Sequence, residues 1–561
     1  MNLVLKFVLV TLPFVVAFQP SSASACGCFA QPSVTVSDAV VQAGERILFA
    51  VDNGTVTAHI QIQYSGNAQD FGWLLPLPSV PVVDVGTDEL FAQLIGKTTP
   101  RYSVTGVSCQ PPSLGCGPSA PIAGAATQNE QPPDGPLVIA SSVGPYDYAV
   151  LKADDKTAML AWLNTNRFFV PATSDEALAP YLRPGAYFLA LKLRSGAWTG
   201  QIRPIVLKYA SELPVIPITL TSIGAVPNMG IQVWVLGNAR AIPRNFSHVE
   251  LNDALLDWEN RVKNYADVVT KAVAEAPGKH AFVTEYAGPS EVMREVLVSP
   301  DRFRLSEARL AALTKPEEFV LALFQQGFAA PFSERTAGAM PLPTLPTTVR
   351  GLVLTALPLP PGFPARGISE DAYLANITFY LGEHRRSFPE DFTGWQMAFD
   401  PPTLARAIYR EHVTPLVEAN VLFWKYSKLT RLFTTLSPGD MTKDPVFSFN
   451  ASLPDVPLLR SASLQANCSA PSRPTLVTAQ GWRRTATGSA PTFTTVPAAR
   501  RIEVLSEEGP PTLTTDNEYE IDRQFDNVTP PVGGCSTVDV SSVSLLWPLL
   551  VLRLRRTRSR R

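Results

Sequence analysis

Six cysteines and five histidines are the residues of this 561-residue chain whose types best suit chemistry. The cysteines are Cys26, Cys28, Cys109, Cys116, Cys468 and Cys535. A thiol can ligate a metal, act as a nucleophile or join a disulfide, and the redox compartment decides among these uses. The histidines are His59, His248, His280, His384 and His412, and they make no H-x-x-x-H or H-E-x-x-H spacing. No zinc helix is therefore predicted, and no metal ligand is assigned. His59 falls on the polar face of its strand and reads as a solvated or hydrogen-bonded side chain. No G-x-S-x-G elbow occurs, so the common hydrolase nucleophile is missing. Ile95-Gly96-Lys97-Thr98 has the ending of a phosphate loop, but Phe91 stands where its first Gly belongs. Glu390 and Asp391 have the residue type of a glycosidase pair. Neighbours on a strand face opposite ways, so they read as loop charges. Trp73, Trp234, Trp258 and Trp395 fit core positions better than a sugar-stacking row. No catalytic residue and no cofactor is assigned.

The two ends decide the compartment. Lys6 is the only charge before residue 30, an apolar run follows from Phe7 to Phe18, and Ala23-Ser24-Ala25 ends it. This is the pattern of a secretory signal peptide, 1–25, cleaved between Ala25 and Cys26. The run is too short for a span of about 20 apolar residues. Ala23 stands where a lipobox usually has Leu, which argues against lipidation of Cys26. Export favours disulfides over metal thiolates. Cys109 and Cys116 bracket a short loop and suit a local bridge. Cys26 or Cys28 is expected to pair with Cys468, and the sequence leaves the choice open. Near the other end, Gly533-Gly534-Cys535 precedes an apolar stretch from Val543 to Leu552, and six Arg fill nine positions from Arg553 to Arg561. Arginines after an apolar run stay cytoplasmic and halt export. This order resembles the myxobacterial C-terminal sorting signal. The resemblance implies that Cys535 is the processing or modification site. An ordinary tail anchor is the alternative.

Charge and composition bound the rest. The net charge is −2, from 47 Lys and Arg against 49 Asp and Glu. Residues 1–25 and 535–561 hold one Lys, six Arg and one Asp. The remainder has 40 bases and 48 acids, a net of −8. An acidic ectodomain excludes a dedicated nucleic-acid binder. With 45% hydrophobic residues the chain can fold, and 52 Pro exclude a mostly helical bundle.

The elements that would position these residues are mostly strands. Arg46–Val51 and Thr55–Tyr64 flank Asn53-Gly54, a strong hairpin cue because both residues tolerate positive φ. In the second strand Val56, Ala58, Ile60, Ile62 and Tyr64 alternate with Thr55, Thr57, His59, Gln61 and Gln63. With Phe71–Leu77 this predicts an antiparallel meander with one wet face. Further strands are expected over Ala186–Leu193, Ile202–Tyr209, Ile216–Thr221 and Ile231–Leu236. Helices are expected over Asn252–Glu275, Ser306–Leu313 and Pro316–Gln325. A fourth over Arg406–Ser427 would be broken by Pro415. Thr105–Pro136 reads as a surface insertion.

Several segments together resemble the bacterial family catalogued as domain of unknown function 2330. They are Val41–Phe49, Phe71–Pro78, Asn264–Thr270, His280–Gly288, Phe388–Asp391 and Met441–Phe447. The resemblance implies an exported bacterial protein and carries no activity and no site residues. The expected fold is α+β, mainly antiparallel β in sandwich-like sheets, with a few helices and two lobes. After the signal peptide come a β-rich lobe, 26–330, a Pro-rich hinge, 331–365, and a second lobe, 366–468. A Ser/Thr/Pro-rich stalk, 469–534, leads to the sorting or anchor segment, 535–561. The expected function is that of a membrane-tethered cell-envelope protein, a non-catalytic binding or structural module. An exported hydrolase with an unrecognised site is the alternative. The expected partners are the membrane, the export and sorting machinery and an extracellular ligand, but no nucleic acid.

Overall fold

The computed structural model describes residues 41–65, 72–106, 137–168, 170, 174–194, 202–299, 302–303, 305–328, 343–465, 474–488, 491 and 495–525. All six cysteines, the signal segment with Ala25, most of the 105–136 insertion and the C-terminal segment lie outside them.

Asn53 and Gly54 take φ of 45° and 74°, as the tight hairpin requires. They join β1 (Val41–Asp52) to β2 (Thr55–Ser65) in the register Asp52↔Thr55 to Val51↔Val56 and onward. β3 (Gly72–Leu77) and β4 (Val82–Val85) follow, then helix α1 (Asp88–Thr98), capped by Thr87 Oγ1 on Glu89 N at 3.2 Å. Next come β5 (Arg101–Gly106), β6 (Leu137–Val143), β7 (Tyr146–Lys152) and α2 (Lys156–Thr165). β8 (Tyr187–Leu193), β9 (Ile205–Ala210), β10 (Ala225–Gly237), β11 (Arg240–Pro243) and β12 (Ser247–Leu251) lead to α3 (Tyr265–Glu275) and β13 (Ala281–Pro289).

A helical stretch then intervenes, with α4 (Pro316–Gln325), α5 (Thr347–Ala356), α6 (Pro401–Ile408) and α7 (Thr414–Lys425) as its longest pieces. The chain returns to strands: β14 (Lys428–Leu436), β15 (Phe447–Asn450), β16 (Leu459–Gln465), β17 (Thr475–Val477), β18 (Arg483–Thr485), β19 (Ala499–Val504) and β20 (Thr512–Asp516).

The main sheet has ten strands in the order β20-β19-β12-β13-β14-β10-β1-β2-β9-β4. Only the β1–β10 and β12–β13 pairs within it are parallel. Smaller open sheets are β3-β8-β7-β6, β18-β17-β16-β5 and β11-β15. The fold is thus α+β with mostly antiparallel sheets. One face of the main sheet (Ile47, Phe49, Ile60, Leu207, Val233) shares a core with the β3-β8-β7-β6 sheet and α2. The other face (Leu48, Ala50, Trp234, Leu236) is covered by α1 and α7. The helical stretch up to Val413 has its own core around Phe319, Val349, Phe363 and Ile408.

The structure departs from the sequence reading in six places. The face of β2 read as wet is so only at Gln63: His59 is 4% exposed, Thr55, Thr57 and Gln61 are half-buried, and Gln61 donates to Asp88 at the start of α1. Ile216–Thr221 is not a strand; it ends in the short helix Ile218–Thr221. Asn252–Glu275 is helical only from Tyr265, because Arg261 and Val262 adopt positive φ. Pro415 does not break its helix. The preceding turn, Tyr409–Val413, widens to a π-turn, which accommodates the missing N–H and the ring. The expected stalk, 469–534, instead contains β17 to β20, which hydrogen-bond into two sheets, and Trp482 there is 2% exposed. The second lobe is likewise not separate: β14, from within 366–468, lies between β10 and β13. Alternating apolar positions such as Leu476 and Ile502 buried against distant strands outweigh a loop-like composition.

Candidate functional site

Strand alternation gives β1 two kinds of side chain. Arg46, Leu48 and Ala50 face α1, while Glu45, Ile47 and Phe49 face the β3-β8-β7-β6 sheet. On that second side the two sheets leave a cleft of about 340 Å³. Ile47, Phe49 and Leu207 form one wall, and Leu75, Leu77 and Ala186 form the other. Tyr181, Arg183, Val215, Pro217 and Asp444 also line it.

Glu45 is the anomaly of this apolar lining. It is 3% exposed. A bulge between Gln42 and Gly44 turns Gln42 back to the same side, where Nε2 donates to Glu45 Oε2 at 3.3 Å. No other side-chain hydrogen bond reaches this carboxyl among the described residues. Burial pushes its pKa up to about 7, against the weaker opposing effect of Gln42. Asp444 is better served. Its Oδ2 accepts from the Tyr181 hydroxyl at 2.7 Å, and its Oδ1 accepts from Thr219 N at 2.9 Å and Oγ1 at 2.8 Å. Burial still raises its pKa. The cleft therefore offers an apolar slot, one carboxyl with a single neutral partner, and a second carboxyl held by three donors.

The sequence signal for Glu45 was available: it shares the alternation of Ile47, Phe49 and Val51, where an acid is out of place. Asp444 had no such signal, because its partners come from two short helical turns far away in the chain.

The histidines divide differently. His384 Nε2 lies 2.8 Å from Asp391 Oδ2, and Arg366 Nε lies 2.5 Å from the same oxygen. The guanidinium first, and then the imidazole, hold the Asp391 carboxyl below its usual range. Arg366 also reaches Glu390 at 3.0 Å and covers the Phe388 ring. The Glu390-Asp391 pair thus sits on a 3-10 turn, Pro389–Phe392, and neutralises an arginine. The shallow groove beside it is lined by Glu383 and Arg385, not by His384 or Asp391. His412 is fully buried, 3.4 Å from Glu89, which also meets Arg302 at 2.6 Å. His248 pairs with Glu503 at 3.2 Å, and His280 contacts the Asp440 carbonyl. His59 Nδ1 has no hydrogen-bond partner among the described residues, and burial lowers its pKa to about 4. Among the described residues no three His, Cys, Asp or Glu side chains are grouped to hold a metal.

Ile95–Thr98 forms the C-terminal turn of α1, the wrong end for a phosphate. Thr98 Oγ1 instead accepts from Trp234 Nε1 at 2.9 Å and from Arg431 at 3.2 Å. Arg431 Nε meets Glu285 at 2.5 Å, and Nη2 donates to Gln232 at 2.9 Å. Trp73, Trp234 and Trp258 are core residues, 2%, 0% and 3% exposed, while Trp395 is half-buried and donates to the Pro358 carbonyl.

Residues 20–327 match the model of a family described as an uncharacterised protein conserved in bacteria, DUF2330. No curated protein and no solved structure matches the chain.

Proposed function

We propose, on the premise that the chain belongs to the bacterial DUF2330 family, that it is an exported binding module of the cell envelope, tethered to the membrane by its C-terminus. The cleft between the two sheets is its ligand site. The observation that carries this reading is Glu45: an acid buried in an apolar cleft with one neutral partner costs stability, and a ligand group supplies what it lacks. The lining holds no histidine, so no nucleophile–base pair of the usual kind converges there. Export and tethering are supported by the signal-type N-terminus, the Gly-Cys535 segment and the terminal arginines.

Val215 lines the cleft and is 37% exposed, so a bulky residue there obstructs the slot with little burden on the core. Titration of the full chain, kept in detergent, with the apolar dye N-phenyl-1-naphthylamine is expected to show saturable binding that Val215→Trp abolishes. Equal binding by the variant counts against the cleft. For the tether, Cys535→Ala is expected to change the protein's size or its membrane attachment in fractionated cells. An unchanged pattern removes Cys535 from sorting.

One observation favours a hydrolase as second reading: Glu45 near neutrality and Asp444 share the cleft, as paired carboxyls do in acid–base hydrolysis. Turnover of chromogenic glycosides that is lost in Glu45→Gln would select it.

A further inference from the structure

Glu285, the other fully buried glutamate among the described residues, has an arginine, and so have the partly buried Glu89 and Glu259. Glu285 meets Arg431 at 2.5 Å, Glu89 meets Arg302 at 2.6 Å, and Glu259 meets Arg484 at 2.9 Å. Asp391 has Arg366 and His384. The buried aspartates differ: Asp444 is held by Tyr181 and Thr219, while Asp253 accepts from Gln480 N at 2.9 Å and burial raises its pKa to about 6. Among the described residues Glu45 has neither an arginine nor a set of donors. The amide that donates to it, Gln42, is 1% exposed, and its own Oε1 is buried without a hydrogen-bond partner among the described residues. Glu45 thus brings a carboxyl with one neutral partner to the lining of an apolar cavity, with Gln42 behind it.

An ammonium group carries three donors, no acceptor and the missing positive charge. A hydroxyl brings one donor and no charge. The cavity, about 340 Å³, is at the small end of the roughly 300–1,000 Å³ usual for ligand sites. It suits a ring or short chain rather than a polymer. Arg183 is the one basic side chain in the lining, and it is exposed. It does not neutralise Glu45, whose pKa reflects burial and Gln42 alone.

We infer that the cleft takes a small amphipathic amine, its apolar body between the two sheets and its ammonium against Glu45. This rests on the cleft being the ligand site. The ion pair forms where water is largely excluded, so it contributes more than a surface pair. The other titratable groups facing the cleft are Tyr181, Arg183, Tyr209 and Asp444. Burial raises the pKa of Tyr209, and the Tyr181 hydroxyl donates to Asp444. Amine binding therefore follows the ionisation of Glu45 and strengthens as pH rises through about 7.

The test is isothermal titration of the full chain in detergent with 4-phenylbutylamine and its neutral counterpart 4-phenylbutan-1-ol. At pH 8 the amine is expected to bind about tenfold tighter or better. Glu45→Gln keeps the shape, removes the charge and is expected to bind both alike, with an unchanged circular dichroism spectrum. The amine is expected to weaken between pH 8 and pH 6, and the alcohol is not. Equal affinities in the wild type, or a preference retained in Glu45→Gln, overturn the amine inference. The cleft reading survives that result if Val215→Trp still abolishes both. Binding of neither probe, or binding unaffected by Val215→Trp, overturns the cleft reading and the inference with it.

Discussion

The two faces of the ten-stranded sheet treat polar side chains in opposite ways. Under α1, Arg431 is shared among Glu285, Gln232, Thr98 and Thr99, and Arg46 donates to Gln61, which in turn donates to Asp88 at 2.6 Å. Nearly every charge there has a counter-charge from the protein itself. On the cleft face a single carboxyl interrupts an apolar wall with one amide for company. Satisfied networks hold elements in register, whereas an unsatisfied acid beside a cavity is a cost retained for some other reason. The contrast separates structural charge from candidate ligand chemistry without reference to any motif.

The sharpest way to break the contrast is to remove Arg431. Arg431→Met leaves Glu285, 2% exposed, as an uncompensated buried acid. The expected loss is about 3–5 kcal/mol, read from the urea midpoint. A variant as stable as the wild type would show that the α1 face is not held by this pair.

Glu45→Gln is expected to act in the opposite direction. The carboxyl titrates near 7 in the folded chain and near 4.5 when unfolded, so the unfolded state loses its proton first. Stability then falls as pH rises from 4.5 to about 7, by on the order of 3 kcal/mol. The glutamine variant should be more stable by that order at pH 8 and indistinguishable at pH 4. A stability difference that does not change with pH would refute the isolation of Glu45.

His59 tests the α1 face from the other side. Its pKa is about 4 when folded and 6.5 when unfolded, so the unfolded state binds the proton first. Stability is lost as pH falls from 6.5 to 4, by about 2 kcal/mol at pH 5. His59→Gln should flatten that part of the pH–stability curve. The smallest effect is expected for Asp391→Asn, because Arg366 lies near the surface and keeps Glu390. Its midpoint should move less than in any of the other three variants.

Local chemistry was legible in the sequence, and distant pairing was not. Asn53-Gly54 announced its hairpin, and the helix Pro316–Gln325 has the predicted bounds. The periodicity from Leu255 to Val273 promised one helix, yet Asn264 intervenes. Its side chain accepts from Asp257 N at 2.8 Å and donates to the Leu255 carbonyl, stabilising turns instead of a continuous helix. β16 pairs in parallel with β5, over three hundred residues earlier, and no local pattern signals that partner. The same holds for the site. Glu45 stood out in its strand, while the wall across from it came from β3 and from Ala186, just before β8.

The position of β14 bears on the order in which the molecule is made. β10 and β13 are complete by Pro289, but they are joined only through β14, which starts at Lys428. A chain that emerges N-terminus first therefore holds two long, apolar, unpaired edges until the helical stretch has followed. Such edges invite pairing with other chains. A polypeptide ending at residue 327, where the family match stops, lacks the strand that closes its own sheet. Productive folding then waits on synthesis and delivery of the chain through Leu436, and a chaperone that shields those edges meanwhile would set the yield of native protein.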